Sequence, residues 1–472
     1  MVERLRRPSW GGSVGAFVVV AGWVIGLRPL GDNSFLTHLA TGRLILDTGR
    51  VPDVDPYTFT AQGEPWVVQS WLVSVAYAVA EQLGGLDGVR VLVGALAAAL
   101  VAIGWTLLRP ARGILPRLAL AGLFVTVGAG MWAERPFMVG LLGLALLLLA
   151  MERRLDPRWL LPIGWVWVNS HGSFPLGIVL VVIAAVGRRL DQEDAPTELR
   201  CLRWLGPGML LGAVGPLGPR ALLFPLELLR RQDLLSQVVE WRAPTFDTTS
   251  QRMFILQLAV AIVLVARRPS YRAALITGLF SGAALLGSRN LAVASLVMLP
   301  TMAAGIGSMG TLVSSARPRA ARIAGTGAVA VLAVLTLARL DQAPLRLQKY
   351  PVGPLAYLEE AAVDTRAVRM AAPDYAGNFI EYAYGPERRT FYDDRFDMFP
   401  DEVSRAQLSV NFGSPSMRSE LDRFDVDLVT VLSASAAGQV LSTDPAWRVL
   451  FLDDHWVVLC RRGSDLSDAR SC

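Results

Sequence analysis

The chain has 472 residues, of which 53% are hydrophobic and 18% charged, and its mean hydropathy is +0.42. Soluble globular proteins carry about a quarter of their residues as charges, so this composition excludes that class and points to a polytopic α-helical membrane protein. A formal charge of +5 would suit nucleic acid, but the arginines cluster in short segments between apolar runs, where they mark cytoplasmic loops, and nucleic acid is set aside.

The N-terminus, "MVERLRRPSW" followed by "GGSVGAFVVVAGWVIGL", has the basic head and apolar core of a signal peptide. No small-residue cleavage site follows and further spans do, so an uncleaved first span is expected. Apolar runs long enough, or nearly so, to cross a bilayer lie at 13–30, 66–82, 89–108, 118–132, 136–151, 158–170, 172–187, 204–217, 253–267, 273–287, 289–307 and 322–339. Between them stand basic loops at 109–117, 152–158, 187–203, 266–272 and 314–322. All five are cytoplasmic if every second loop after residue 109 is inside.

With the basic N-terminus also inside, the parity is off by one segment. Either 66–82, interrupted by Gln69, Ser70, Ser74 and Tyr77, lies on the outer membrane face without crossing, or 158–187 crosses once. Both repairs give about 11 spans, an inside N-terminus and an outside C-terminus. After residue 343 charge rises, apolar runs stop, and β-type segments such as "DLVTVLS" and "WRVLFLDDHWVVLCRR" alternate with helical ones. The expected division is therefore a membrane domain, 1–343, with an outer first loop at 31–65, and a soluble extracytoplasmic α/β domain, 344–472.

The first loop, "GDNSFLTHLATGRLILDTGRVPDVDPYTFTAQGEPW", holds the densest charge in the apolar part. Asp32 stands directly after the first span and before a helix-compatible stretch. It reads as a helix N-cap, as a carboxylate at the membrane surface able to act as general base, or as both. Asp53 and Asp55 sit among prolines as turn formers, and Asp47 can pair with Arg43 one turn away. His38 and His171 ("WVWVNSHGSF") are two of only three histidines, and metal-ligand spacing is absent.

Glu134 and Arg135 in "WAERP" could neutralise each other at the membrane edge. Arg90 and Arg289 sit at outer ends of spans, against the positive-inside trend. Their guanidinium forks suit a lipid phosphate, and snorkelling to headgroups is the plainer reading. "FYDDRFDMFP" in the C-terminal domain reads as a salt-bridged turn. The three cysteines allow at most one disulfide, with Cys460–Cys472 open as a pairing.

Taken in order, "DNSFLTHLATGRLILDTGRVPDVDPYTFTAQGEPWVVQSWL", "LDGVRVL", "WAERPF", "WVWVNSHGSFPLG", "EWRAPTF" and "YAGNFIEYAYGPERRTFYDDRFD" resemble the GT-C superfamily of integral-membrane glycosyltransferases, especially bacterial relatives of protein mannosyltransferases and aminoarabinose transferases. The resemblance implies a multi-pass protein of the bacterial cytoplasmic membrane. Its donor would be a polyprenyl-phosphate-linked sugar and its acceptor a glycan, lipid or protein hydroxyl. It implies Asp32 as the base, Glu134 as the second acid, and Arg90 as the arginine that opens the span after the first outer loop; Arg135, Arg289, His171 and His38 stand beside Arg90 as the candidates for binding substrate and phosphate. The paired acids that follow the first span in the family stand here as Asp32–Asn33, one acid only, so a divalent metal is unsupported and no metal ligand is assigned. A lipid or polysaccharide transporter or flippase, or an inactive GT-C-like assembly protein, are the rival readings.

Overall fold

The computed structural model describes residues 10–231, 239–307, 318–364, 366–467 and 470–472. The basic N-terminal head, residues 232–238 of the long loop after 215, and the start of the basic loop at 314–322 lie outside them. The chain forms two compact units, one of Met1–Leu30 with Val79–Leu345, the other of Gly31–Ala78 with Arg346–Cys472. The boundary expected near 343 left the first loop with the N-terminal part. The loop packs instead with the C-terminal segment, because its buried polar and aromatic groups find their partners there.

In the first unit, α1 (Trp10–Gly26) is apolar on every side, as a helix buried or in lipid must be. It approaches the second half of α3 (Trp71–Leu107) so closely that a Cβ on Gly26 would stand 2.6 Å from the Gly94 Cα, the small-residue contact by which membrane helices pack. Its Trp23 Nε1 donates to Thr336 Oγ1 at 2.8 Å. Helix α3 runs 37 residues and is broken at Gly84 and Gly85, the latter at φ 61°, ψ −157°, a region open in practice only to glycine. The run expected at 66–82 is therefore an irregular entry at 66–68 and a turn at 69–70, followed by the first half of this helix.

Then come α4 (Ile114–Ala129), α5 (Phe137–Met151), α6 (Leu160–Val168), α7 (Pro175–Leu190), α8 (Pro196–Leu211) and α9 (Arg220–Leu229). Helix α6 has nine residues, which rise about 14 Å against the ~30 Å of a bilayer core. "NSHGSFP" ends it, since Pro175 can open α7 but not continue α6. Helix α8 takes in the second half of the basic stretch expected as a loop at 187–203, and the run 204–217 stops being helical at Leu211, where glycine and proline take over.

Helices α10 (Thr249–Arg267), α11 (Tyr271–Leu286), α12 (Leu291–Val297), α13 (Leu299–Gly307) and α14 (Pro318–Leu340) complete the unit. Its core contains a large apolar cluster that includes Trp132, Phe124, Trp167 and Phe254. Among the described residues three helices are long and apolar enough to cross a membrane: Trp71–Leu107, Thr249–Arg267 and Ser288–Gly307. Five shorter apolar helices, Gly11–Gly26, Ile114–Ala129, Phe137–Met151, Tyr271–Leu286 and Thr326–Leu340, accompany them.

The second unit pairs α2 (Asn33–Thr48) with α16 (Asp374–Tyr384) beside a four-stranded sheet of order β1-β2-β4-β3. Strands β1 (Met370–Ala371) and β2 (Leu428–Leu432) are parallel. β4 (Trp456–Arg461) runs antiparallel to both β2 and β3 (Trp447–Leu452). The first loop joins this sheet side: Phe59 N donates to Thr390 O at 3.1 Å, Thr390 N to Tyr57 O at 3.1 Å, and Phe391 N to Met370 O at 3.1 Å. Helices α15 (Val352–Glu360), α17 (Asp401–Phe412), α18 (Met417–Arg423) and α19 (Ala436–Ser442) also belong to this unit, and a small ladder of β5 (Asp465–Ser467) and β6 (Arg470–Ser471) ends the chain. A disulfide joins Cys460 to Cys472, and Cys201 is free and buried.

Candidate functional site

Asp32 caps α2. Its backbone is extended at φ −81°, ψ 135°, and Oδ1 accepts from Ser34 N at 3.1 Å. An aspartate two residues ahead of an amide in this conformation satisfies one of the four free N–H groups that open a helix. The residues on either side of Asp32 are tied to the only lysine of the chain. Lys349 Nζ donates to Gly31 O and to Asn33 Oδ1, each at 2.5 Å, and Tyr350 Oη donates to Asn33 Oδ1 at 3.3 Å.

Ser34 reaches a second carboxyl with its hydroxyl, which donates to Asp394 Oδ2 at 2.6 Å. Burial pushes the Asp394 carboxyl up to about 7; the Ser34 hydroxyl opposes this, and the like charges of Asp393, Asp374 and Asp32 add to it. Asp394 was hidden in a run read as a salt-bridged turn. Asp393 and Arg395 do make that turn, with Arg395 N donating to Asp393 Oδ1 at 2.8 Å and Nε to the same oxygen at 2.9 Å.

Arg395 is the centre of a buried cluster. Its Nη2 lies 2.7 Å from Asp55 Oδ1, 2.5 Å from Asp393 Oδ2 and 3.8 Å from Glu381 Oε1. The guanidinium also covers the rings of Trp66 at 4.3 Å and Tyr57 at 5.1 Å. Three carboxyls share one cation here. Burial and then the Asp393 charge push Glu381 well above the usual carboxylate range. Burial alone would raise Asp393 too, but the Arg395 guanidinium holds it below that range. Glu381 Oε2 accepts from Thr37 Oγ1 at 2.7 Å. Asp55 is thus both a turn former, accepting from Tyr57 N and Thr58 N, and an ion-pair partner, which spacing could not reveal. Arg43, expected to pair with Asp47, donates to Tyr382 O at 2.9 Å and lies over that ring at 4.8 Å. His38 Nδ1 is 3.2 Å from Ser74 Oγ.

The remaining five site residues belong to the first unit. Arg90 is fully buried. Its Nε and Nη2 donate to Leu27 O at 3.1 and 2.8 Å, Nη1 donates to Asp87 Oδ1 at 2.7 Å and Gln342 O at 3.2 Å, and Nη2 also donates to Arg339 O. Every guanidinium nitrogen is engaged by the chain itself, so the expected phosphate contact gives way to a clamp on the ends of α1 and α14. His171 Nδ1 accepts from Ser173 N at 3.1 Å, which leaves Nε2 to carry the proton of the neutral ring, and the ring meets Phe137 edge-on at 5.5 Å.

Arg135 and Arg289 come together. Arg135 pairs with Glu240, and Arg289 lies over the Trp241 ring at 4.4 Å. The short turn Val239–Trp241 is laced to Ser288, whose Oγ donates to Glu240 O at 3.1 Å and whose N donates to Arg242 O at 2.9 Å. Glu134, beside Arg135, is buried. The "EWR" of "EWRAPTF" is the signal that could have found Glu240 and Trp241. Among the described residues no group of three or more His, Cys, Asp or Glu side chains is placed to hold a metal ion.

No protein-family model matches the chain, and no curated protein matches it. Among solved structures, the oligosaccharyltransferase of Archaeoglobus fulgidus in its apo form is similar at a TM-score of 0.52, with 12% identity over 89% of this chain and 69% of that one. AglB oligosaccharyltransferase from the same organism, in complex with an inhibitory peptide and a dolichol-phosphate, is similar to the same degree, at a TM-score of 0.52 and 12% identity over 89% and 69% of the two chains. ArnT from Cupriavidus metallidurans bound to undecaprenyl phosphate aligns over 95% of this chain and 97% of that one at 12% identity, and its TM-score of 0.41 adds nothing to the assignment. At these identities the likeness concerns the fold. The chain has a helical membrane fold with a C-terminal sheet domain, similar to the fold of these archaeal oligosaccharyltransferases.

Proposed function

We propose that the chain is a membrane glycosyltransferase that moves a sugar from a polyprenyl-phosphate donor to an acceptor hydroxyl at the outer face of the bacterial cytoplasmic membrane. The observation that carries the reading is the place of Asp32. It is the sixth residue after α1, its carboxylate is held by the first turn of α2, and the Lys349 ammonium engages the residues on both sides of it. A cap that fixes one carboxylate oxygen also fixes the direction of the other, which is what a general base needs. The AglB structure contains a dolichol-phosphate, and that supports a lipid phosphate as the donor's carrier.

In this reading Asp32 takes the proton of the acceptor hydroxyl as its oxygen attacks the anomeric carbon. The bond to the phosphate oxygen breaks on the opposite side, so one displacement inverts the centre. Within the first unit, Arg135, Arg289 and His171 are the candidates for binding phosphate. Glu134 is the second acid, Arg90 acts by holding the ends of α1 and α14 in place, and His38 seats α2. About 11 spans, an inside N-terminus and an outside C-terminus complete the topology. The Cys460–Cys472 disulfide supports an oxidising compartment for the C-terminal segment.

The test is transfer of labelled sugar from membrane lipids by the wild type and by Asp32→Asn, both purified with the same melting profile. A loss of a hundredfold or more is expected, in the range of a missing acid–base group. Equal turnover removes Asp32 as the base, and no transfer by either protein favours the assembly-protein reading.

A further inference from the structure

We propose that Arg135 and Arg289 form a phosphate-binding pair whose resting counter-ion is the carboxylate of Glu240, and that a lipid phosphate takes the place of this carboxylate when it binds. The inference rests on the transferase reading for its ligand, but its geometry stands by itself. Glu240 pairs directly with Arg135, and both Glu240 and Arg135 act electrostatically on Arg289. The two arginines come from segments more than a hundred and fifty residues apart, before α5 and before α12. They are brought to one place by a turn that offers a carboxylate to the first and an indole face to the second.

Two features make the carboxylate exchangeable. The backbone of the turn is held by Ser288, through its hydroxyl to Glu240 O and its N–H to Arg242 O, so the Glu240 side chain can swing on its own rotatable bonds without unlacing the frame. The Arg135–Glu240 pair is also only partly buried, with side chains 29% and 32% exposed, a setting in which an ion pair is weak. Arg90, at 0%, and Arg395, at 7%, are by contrast locked into their own partners. The stacking of Arg289 on Trp241 fixes the plane of its fork, leaving the edge to meet oxygen, which is the geometry phosphate recognition uses. A carboxylate in the phosphate position keeps two arginines from standing unpaired before the donor arrives. It also competes with the phosphate product and favours its release.

The experiment measures equilibrium binding to the full chain in detergent for three probes: a long-chain polyprenyl phosphate, the corresponding polyprenol, and inorganic phosphate. Glu240→Gln is expected to bind polyprenyl phosphate about fivefold tighter than wild type, the size of one partly exposed ion pair. Arg289→Gln should bind it at least tenfold more weakly, and polyprenol should be indifferent to both changes. Tightening with inorganic phosphate as well supports a site that reads the phosphate alone, and tightening only with the lipid supports one that reads both parts. No tightening with either phosphate, or equal tightening with polyprenol, overturns the proposal. Because Glu240→Gln keeps the side chain's shape, the result does not depend on the arginine variants folding. Tightening without any sugar transfer would remove the proposed function and leave this site standing; transfer without tightening would do the reverse.

Discussion

Asp32 and Asp394 are joined through one serine: Ser34 gives its backbone N–H to Asp32 at 3.1 Å and its hydroxyl to Asp394 at 2.6 Å. The two carboxyls stand 362 positions apart in sequence and act on each other electrostatically. One caps a helix, and the other is held toward its neutral form by burial.

The Asp394 shift gives a pH dependence whose sign is fixed. Its carboxyl is raised from 3.8 to about 7, so between those values the folded chain binds a proton that the unfolded chain does not. Stability from this group is complete below about pH 4 and is lost as pH rises through 7. Asp394→Asn replaces the neutral carboxyl by a neutral amide that can still accept from Ser34. Its melting temperature relative to wild type is expected to climb from pH 5 to pH 8. A difference that stays flat across that range contradicts the assignment.

Removing the cation of the buried cluster should be costly. Arg395→Met strips Asp55 and Asp393 of their partner, and a broken buried pair costs about 3–5 kcal/mol. Asp55→Asn leaves Asp393 on the guanidinium and should cost less, about 1–3 kcal/mol. Chemical denaturation of the two variants reads the order, and equal losses would show that Asp55 carries the cluster alone.

Arg90 is expected to behave as a structural residue. Arg90→Gln leaves the Leu27, Arg339 and Gln342 carbonyls short of donors, at about 1–3 kcal/mol for each buried group left unsatisfied. Thermal stability should fall while the KM of the protein that remains folded is unchanged. A raised KM with an unaltered melting temperature would return Arg90 to the substrate.

The terminal disulfide closes a loop of 12 residues, for which chain entropy gives about 3 kcal/mol. Cys472→Ser should lower the stability of the second unit by up to that amount. Alkylation followed by mass measurement should find one modifiable thiol, Cys201, in the unfolded, unreduced wild type and two in the variant. Three thiols in the wild type would show that the bridge does not form in the cell.

The residues themselves were enough to place the apolar helices α1, α5 and α10, the Asp32 cap, the interruption between the runs at 66–82 and 89–108 and the change of character near 343. Each of these is set within a few positions, by hydropathy along the run or by a carboxylate two residues from an amide. Shortened helices such as α6 and the helical start of α8 escaped, because hydropathy measures length of run and not where proline lets a helix open. The partners of the charges were decided by tertiary packing alone. Lys349 reaches Asn33 across 316 positions, Glu240 reaches Arg135 across 105 and Arg395 reaches Asp55 across 340. An ion pair needs its groups within a few ångströms, and nothing in the spacing of two residues that far apart along the chain determines whether folding brings them there.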